Sequence, residues 1–154
     1  MKAITLIQPW ASMIALGAKR IETRGWATSY RGPLAVHAGQ KTPPKDLSPE
    51  CRAAVDEVLR YHGESDASML PRGRVVATCE LVDVVAVGAY TAGPVIQRVH
   101  PLDEKKQKLE RALGNYEPEP GKARFAWILE NVVRLDPPIA ARGYQQLWTW
   151  ERDA

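Results

Sequence analysis

Four ionisable side chains crowd one short stretch near the start of the chain, in the run Gly17-Ala18-Lys19-Arg20-Ile21-Glu22-Thr23-Arg24, and three of them, Lys19, Glu22 and Arg24, put two positive charges and one carboxylate within six residues. As a phosphate ligand, Lys19 is a mobile point charge. As a catalyst it needs a pKa lowered by burial, and an ion pair with Glu22 works against that. Its bland alternative is solvent exposure. Glu22 has three chemical uses: orienting Lys19 or Arg24, accepting a hydrogen bond from a base amino group, or acting as a general base. The structural alternative is a salt bridge that shapes the loop. Arg24 carries the planar fork that suits a phosphate or a guanine edge. Arg31, in the turn Tyr30-Arg31-Gly32-Pro33, offers a second phosphate contact. Ser12 either donates to a phosphate or satisfies backbone nearby.

Trp10 and Trp26 flank this charged block. A stacked, unpaired base gains about 1–3 kcal/mol from an aromatic face, and cations beside the ring hold its phosphate. Core packing competes with that use. Trp10 lies on a helix that needs an apolar face, which favours core; for Trp26 both readings stand. His37 ends a strand facing the same region, where a hydrogen-bonded structural histidine is the expectation over a catalytic one. Trp127, Trp148 and Trp150 fall in strand patterns and read as core. No Ser-His-Asp order stands out, so no triad is proposed.

The chain has 154 residues, 45% of them apolar, enough for one domain with a core that needs no metal or disulfide staple. No run is long enough to span a bilayer, and the start lacks the pattern of a secretory signal. Cys51 and Cys79 have no CxxC spacing, which argues against a zinc site and fits a reduced cytoplasmic setting. No cofactor or metal is expected. Net charge is +3 but uneven: residues 1–45 hold seven Lys or Arg and one acid, a net of +6, and the rest nets −3. A basic end around aromatic side chains is one footprint of nucleic-acid binding, and a solvated basic face is the other reading.

The elements that must position these residues are legible in part. Residues 2–6 read as a strand, and Pro9 opens a short helix with Trp10, Met13, Ile14 and Leu16 on its apolar face and Gly17 at its end. Residues 20–24 look extended. If they form a strand, Arg20, Glu22 and Arg24 share one side, and Lys19 joins them through the turn. Residues 34–37 form a second strand. Ser48-Pro49-Glu50 starts a helix whose stripe is Ala54, Val55, Val58 and Leu59, ended by His62-Gly63. Residues 73–87 are the strongest strand signal. Residues 125–135 form another strand, stopped by Pro137-Pro138, and residues 147–150 the last. Residues 88–123 read as a long insertion carrying a peripheral charged helix at 103–113, a candidate lid or protein-partner surface. The strand-rich order predicts a mixed α+β fold, a small barrel with helices outside, rather than a doubly wound sheet.

Several of these residues together resemble the ASCH domain, the activating signal cointegrator homology family. They are Gln8-Pro9-Trp10-Ala11-Ser12, then Gly17-x-Lys19-x-x-Glu22-x-Arg24, Trp26, Tyr30-Arg31-Gly32 and residues 34–38. Glu80-Leu81-Val82-Asp83, Phe125-Ala126-Trp127-x-Leu129-Glu130-Asn131 and the stretch from Pro137 to Trp148 extend the likeness over nearly the whole chain, residues 88–123 matching least. The resemblance implies one domain over 1–154 with an insertion at about 88–123. It implies a small PUA-like β-barrel with flanking helices, and a cleft lined by the Lys19–Arg24 segment. It also implies work on nucleic acid, RNA first.

Three readings follow. The favoured one is a binding module for a single-stranded or flipped nucleotide, held by Lys19, Glu22, Arg24, Arg31 and Ser12 with Trp10, Trp26 and His37 around them. The second is a hydrolase acting on RNA or on a modified nucleoside such as N4-acetylcytidine, with Lys19 and Glu22 as acid and base. The amidohydrolase relative that acts on N4-acetylcytidine places Thr where this chain has Glu22, and it uses a later glutamate for which Glu80 is a candidate here. The third is a protein-interaction adaptor working through residues 88–123.

Overall fold

The computed structural model describes residues 1–152, so the last two residues of the expected domain lie outside it. Six strands form one open sheet: β1 (Lys2–Leu6), β2 (Ile21–Arg24), β3 (Gly32–Ala38), β4 (Arg74–Ala86), β5 (Phe125–Ala140) and β6 (Trp148–Thr149). Their order is β2-β5-β4-β3-β1-β6, with β1 and β3 parallel and the other pairs antiparallel. Among the described residues the sheet does not close: β2 and β6 are its two edges, so the expected barrel is corrected to a six-stranded mixed sheet flanked by helices. The chain's first and last strands still meet. Met1 donates its amino group to the Trp150 carbonyl at 3.0 Å, and Trp150 N–H returns a bond to the Met1 carbonyl at 2.8 Å.

Helix α1 (Trp10–Ala15) lies on the sheet and buries Ala11, Ile14 and Ala15 against Ile4, Leu6, Val36 and Trp127. Pro9 stands one residue before the helix rather than at its first position. Gly17 ends it with φ +79°, a left-handed turn that glycine takes without penalty. Ala18 and Lys19 N–H both reach back to the Met13 carbonyl, at 3.0 and 3.1 Å, which turns the chain sharply into β2. Helix α2 (Pro49–Tyr61) is capped by Ser48, whose Oγ accepts from Cys51 N–H at 3.2 Å, and it buries Ala54, Val55, Val58 and Leu59 as expected. That stripe packs on Met13 and, across it, on Leu113.

Two expectations fail for identifiable reasons. Pro137-Pro138 does not stop β5. The ladder to β4 jumps from Ala77 opposite Arg134 to Val75 opposite Ile139, so both prolines fall in an irregular stretch where no ladder N–H is required. Residues 88–123 carry two helices, α3 (Ala92–Val99) and α4 (Glu104–Ala112), and they are not peripheral. Ala92, Ile96, Val99 and Tyr116 form a buried cluster with Ile21 and Ile128, and Glu110 of α4 is fully buried. Among the described residues, no helix is long and apolar enough to cross a membrane.

Trp127 is the pivot of the core, with no exposed surface, its ring edge-on to Trp26 at 4.8 Å and its Nε1–H donated to the Trp26 carbonyl at 3.2 Å. Trp127→Phe removes that donor and opens a void. The expected cost is about 1–3 kcal/mol, read as a lower urea midpoint with an unchanged slope.

Candidate functional site

Strand β2 pairs with β5 on one side only. In an antiparallel pair, alternate residues turn their backbone groups away from the partner. Here Leu129 N–H takes the Arg20 carbonyl at 2.9 Å, so Ile21 and Thr23 present theirs outward. Charged side chains occupy that open edge. Lys19 Nζ donates to the Ile21 carbonyl at 2.6 Å, and Glu22 Oε1 accepts Thr23 N–H at 2.9 Å. Arg124 donates to the Thr23 carbonyl at 3.2 Å and to Thr23 Oγ1 at 3.1 Å. Just before the strand, Glu110 Oε1 accepts Arg20 N–H at 2.7 Å and faces His100 Nε2 at 3.0 Å. An edge strand that otherwise invites another chain is thus closed from its own neighbourhood.

Lys19, Glu22, Thr23 and Arg124 also line a cleft of about 460 Å³, together with Leu6, Ile7, Trp10 and residues 112–115; Glu110 stands outside it. Binding clefts for small ligands run from about 300 to 1,000 Å³. Lys19 is 1% exposed and also donates to the Leu113 carbonyl at 3.1 Å, leaving one of three ammonium hydrogens. Its Nζ lies 6.0 Å from the Trp10 ring centre. Glu22 is 8% exposed, and its second oxygen, Oε2, is buried without a hydrogen-bond partner among the described residues. Arg24 follows at the cleft's edge, its guanidinium 5.8 Å from the Trp26 ring. Arg124 completes the rim. Burial lowers its pKa, Glu22 opposes that, and Arg24 adds to it, so the three charges stand within electrostatic reach of one another. Cys51 lines the same wall. Burial pushes its thiol up despite Lys19, which argues against a nucleophile.

The expected residues divide accordingly. Lys19, Glu22, Arg24 and Trp10 share the cleft. Arg20 does not join them: it reaches the Val99 carbonyl and Glu130 instead. Arg31 is drawn off to Asp83 at 3.6 Å and to its own turn, where it donates to the Thr28 and Tyr30 carbonyls. Ser12 is buried in α1, its Oγ accepting from Gln8 Nε2 at 2.8 Å, the backbone-and-core use rather than a phosphate contact. Glu80 is exposed and pairs across the sheet with Pro33 and Glu130, away from the cleft. Trp26 and His37 line a second, wider groove that meets the cleft at Leu6, Ile7 and Arg24. Sequence reasoning missed Arg124 and Thr23, which reach the cleft through the β2–β5 pairing, and Glu110, which the α4 packing brings to Arg20 N–H beside it.

His37 is 1% exposed and held at both ring nitrogens. Its Nε2 faces the Ala141 carbonyl at 2.7 Å, so that nitrogen carries the hydrogen and Nδ1 accepts from Thr5 Oγ1 at 3.2 Å. Trp148 Nε1–H in turn donates to Thr5 Oγ1 at 3.1 Å. In the neutral ring both nitrogens are thus occupied by the chain's own groups.

The sequence model of the ASCH domain matches residues 4–139. The human and mouse proteins called activating signal cointegrator 1 are each 33% identical over 84 residues, 54% of this chain and 14% of theirs. The match therefore spans about a seventh of those relatives. A crystal structure of ASCH from Zymomonas mobilis superposes with a TM-score of 0.54 at 16% identity, covering 98% of this chain and 87% of that one. A point variant of the same protein gives 0.54 and 89%. This likeness shows that the two chains share a fold.

Burial lowers the His37 pKa below the ordinary 6.5, the Ala141 bond only partly opposing it. Between the two values the unfolded chain binds a proton that the fold refuses. The stability this gives is full above pH 6.5 and is lost as pH falls below it. Thermal midpoints should drop between pH about 7 and about 5, and His37→Gln should flatten that limb. An equally steep limb in the variant contradicts the assignment.

Proposed function

The chain belongs to the ASCH domain family, and from that premise we propose that it is an RNA-binding module taking one unpaired nucleotide into the cleft of Lys19, Glu22 and Arg24. The observation that carries the reading is Glu22 Oε2, an orphaned acceptor in the wall of a concave site. Leaving such an oxygen unmatched costs about 1–3 kcal/mol or more, and the amino edge of a base supplies the missing donor. Lys19 and Arg124 are already tied to backbone, which holds their charge in place for an anion without further ordering. Arg24 has the planar fork for a phosphate and no carboxylate partner among the described residues. Trp10 supplies an apolar wall for the base.

The same geometry favours binding over hydrolysis. Lys19 makes no ion pair with Glu22 among the described residues and spends two hydrogens on carbonyls, so the two are not arranged as a proton-exchanging couple. Glu22 Oε1 is likewise committed to its strand.

Fluorescence polarisation with short single-stranded RNA tests the reading. Affinity should fall with salt at about 0.7 per phosphate contact on logarithmic axes. Arg24→Glu and Arg124→Glu should each weaken binding at least about tenfold at low salt. Glu22→Gln removes a negative charge yet should flatten the preference among homopolymers, because the base-reading oxygen is gone. Unchanged affinity in both arginine variants rejects the proposal. Turnover of N4-acetylcytidine or of the RNA, abolished by Lys19→Ala, assigns a hydrolase instead.

A further inference from the structure

We propose that the groove adjoining the Glu22 cleft is a second nucleotide subsite, where Tyr144 stacks the neighbouring base of the same strand and Arg142 and Lys41 hold its phosphates. The inference rests on the reading of the first cleft as a nucleotide site. It adds that the natural ligand is an oligonucleotide rather than a free nucleoside.

Continuity is the first support. The groove, of about 1,200 Å³, shares Leu6, Ile7 and Arg24 with the cleft, so Arg24 stands where the phosphate between two successive nucleotides must pass. Charge is the second. Among the described residues the groove is lined by Arg24, Lys41 and Arg142 and by no acidic residue. The joined surface then carries five cations, counting Lys19 and Arg124, against the single carboxylate of Glu22. A polyanion gains along its whole length on such a track, and a neutral nucleoside does not.

The third support is the aromatic platform. Tyr144 is 53% exposed, although its ring is anchored edge-on to the buried Trp148 at 5.6 Å. The Arg142 guanidinium lies 5.3 Å from its centre. An aromatic ring with a guanidinium beside it is a stacking surface that any base satisfies. The loop that carries it is held from below. Ala141 N–H donates to the Gly73 carbonyl at 3.1 Å, and its carbonyl accepts from His37. Gly143 presses so closely that a Cβ there falls 2.5 Å from the His37 ring and 2.6 Å from Thr5 Oγ1. The buried His37 thus sets the height of the platform without touching a ligand.

Titration calorimetry with a nucleoside monophosphate, a dinucleotide and a hexanucleotide RNA separates the two claims. The wild-type chain should bind the dinucleotide at least about fivefold more tightly than the monophosphate. Tyr144→Ala should cost about 5- to 150-fold on the dinucleotide and hexanucleotide, the range of one base stack, and leave the monophosphate unmoved. Tyr144→Phe should bind like wild type, since stacking needs the ring and not the hydroxyl. Arg142→Ala should lower the salt slope on the hexanucleotide by about 0.7. If the monophosphate binds and Arg24→Glu weakens it, while Tyr144→Ala changes nothing at any length, the second subsite is overturned and the first stands. If no length binds, or Arg24→Glu and Arg124→Glu are both silent throughout, the underlying reading has failed. Circular dichroism of Tyr144→Ala guards against a folding artefact, because an exposed ring leaves the core intact.

Discussion

The open edge of β2 is the constraint around which the site is organised. A four-residue strand with one partner leaves backbone groups of Ile21 and Thr23 facing away from the sheet. Burying them unpaired costs about as much as losing a hydrogen bond for each. The chain resolves this with side chains of the same segment, Lys19 and Glu22, helped by Arg124 from the far end of the sequence. Charges therefore sit in a nearly dry place for reasons of backbone satisfaction. The capacity left over is one Lys19 hydrogen and one Glu22 oxygen. On the proposed reading these are the groups that meet a ligand, so that structure and recognition would draw on opposite ends of the same side chains.

That arrangement explains why α3 and α4 are integral. Glu110 arrives from α4 to take Arg20 N–H, and the Leu113 carbonyl arrives just after it to take Lys19. Without that layer the Lys19 ammonium loses one of its two carbonyls and the cleft loses a wall. The His100 contact and the Tyr116 hydroxyl, which donates to the Glu110 carbonyl at 3.4 Å, tie the same carboxylate-bearing turn to its surroundings. Burial first, and then Glu110 and Glu22, push the Tyr116 hydroxyl far up, so it stays a neutral donor.

Much of the fold was legible because local rules sufficed. Ser48-Pro49 starts α2, Gly17 ends α1, and the alternation of Val75, Ala77, Cys79 and Leu81 marks β4. What was not legible depends on pairing across long sequence separations. The prolines at 137 and 138 look like a stop, and only the slipped register opposite β4 explains their tolerance. The charged helix looks thin in apolar residues because its most buried side chain is Glu110, whose partners lie 90 residues away in sequence or in the preceding turn. At the site, Lys19, Glu22 and Arg24 could be found by spacing and resemblance. Arg31 is equally basic and equally near in sequence, yet Asp83 claims it. Arg124 could not be found at all, since its place beside Thr23 follows from β5 lying next to β2.

The meeting of Met1 with Trp150 has a bearing on architecture. Because the entry and exit of the folded body are hydrogen-bonded neighbours, a host polypeptide can open at one surface point, admit this body, and resume with little displacement. By the same reasoning, a short peptide joining the two ends and a cut at an exposed loop would give a rearranged chain with the same sheet. The open sheet is thereby a portable cassette, and the cleft travels with it because every residue that builds it lies inside that closed circuit.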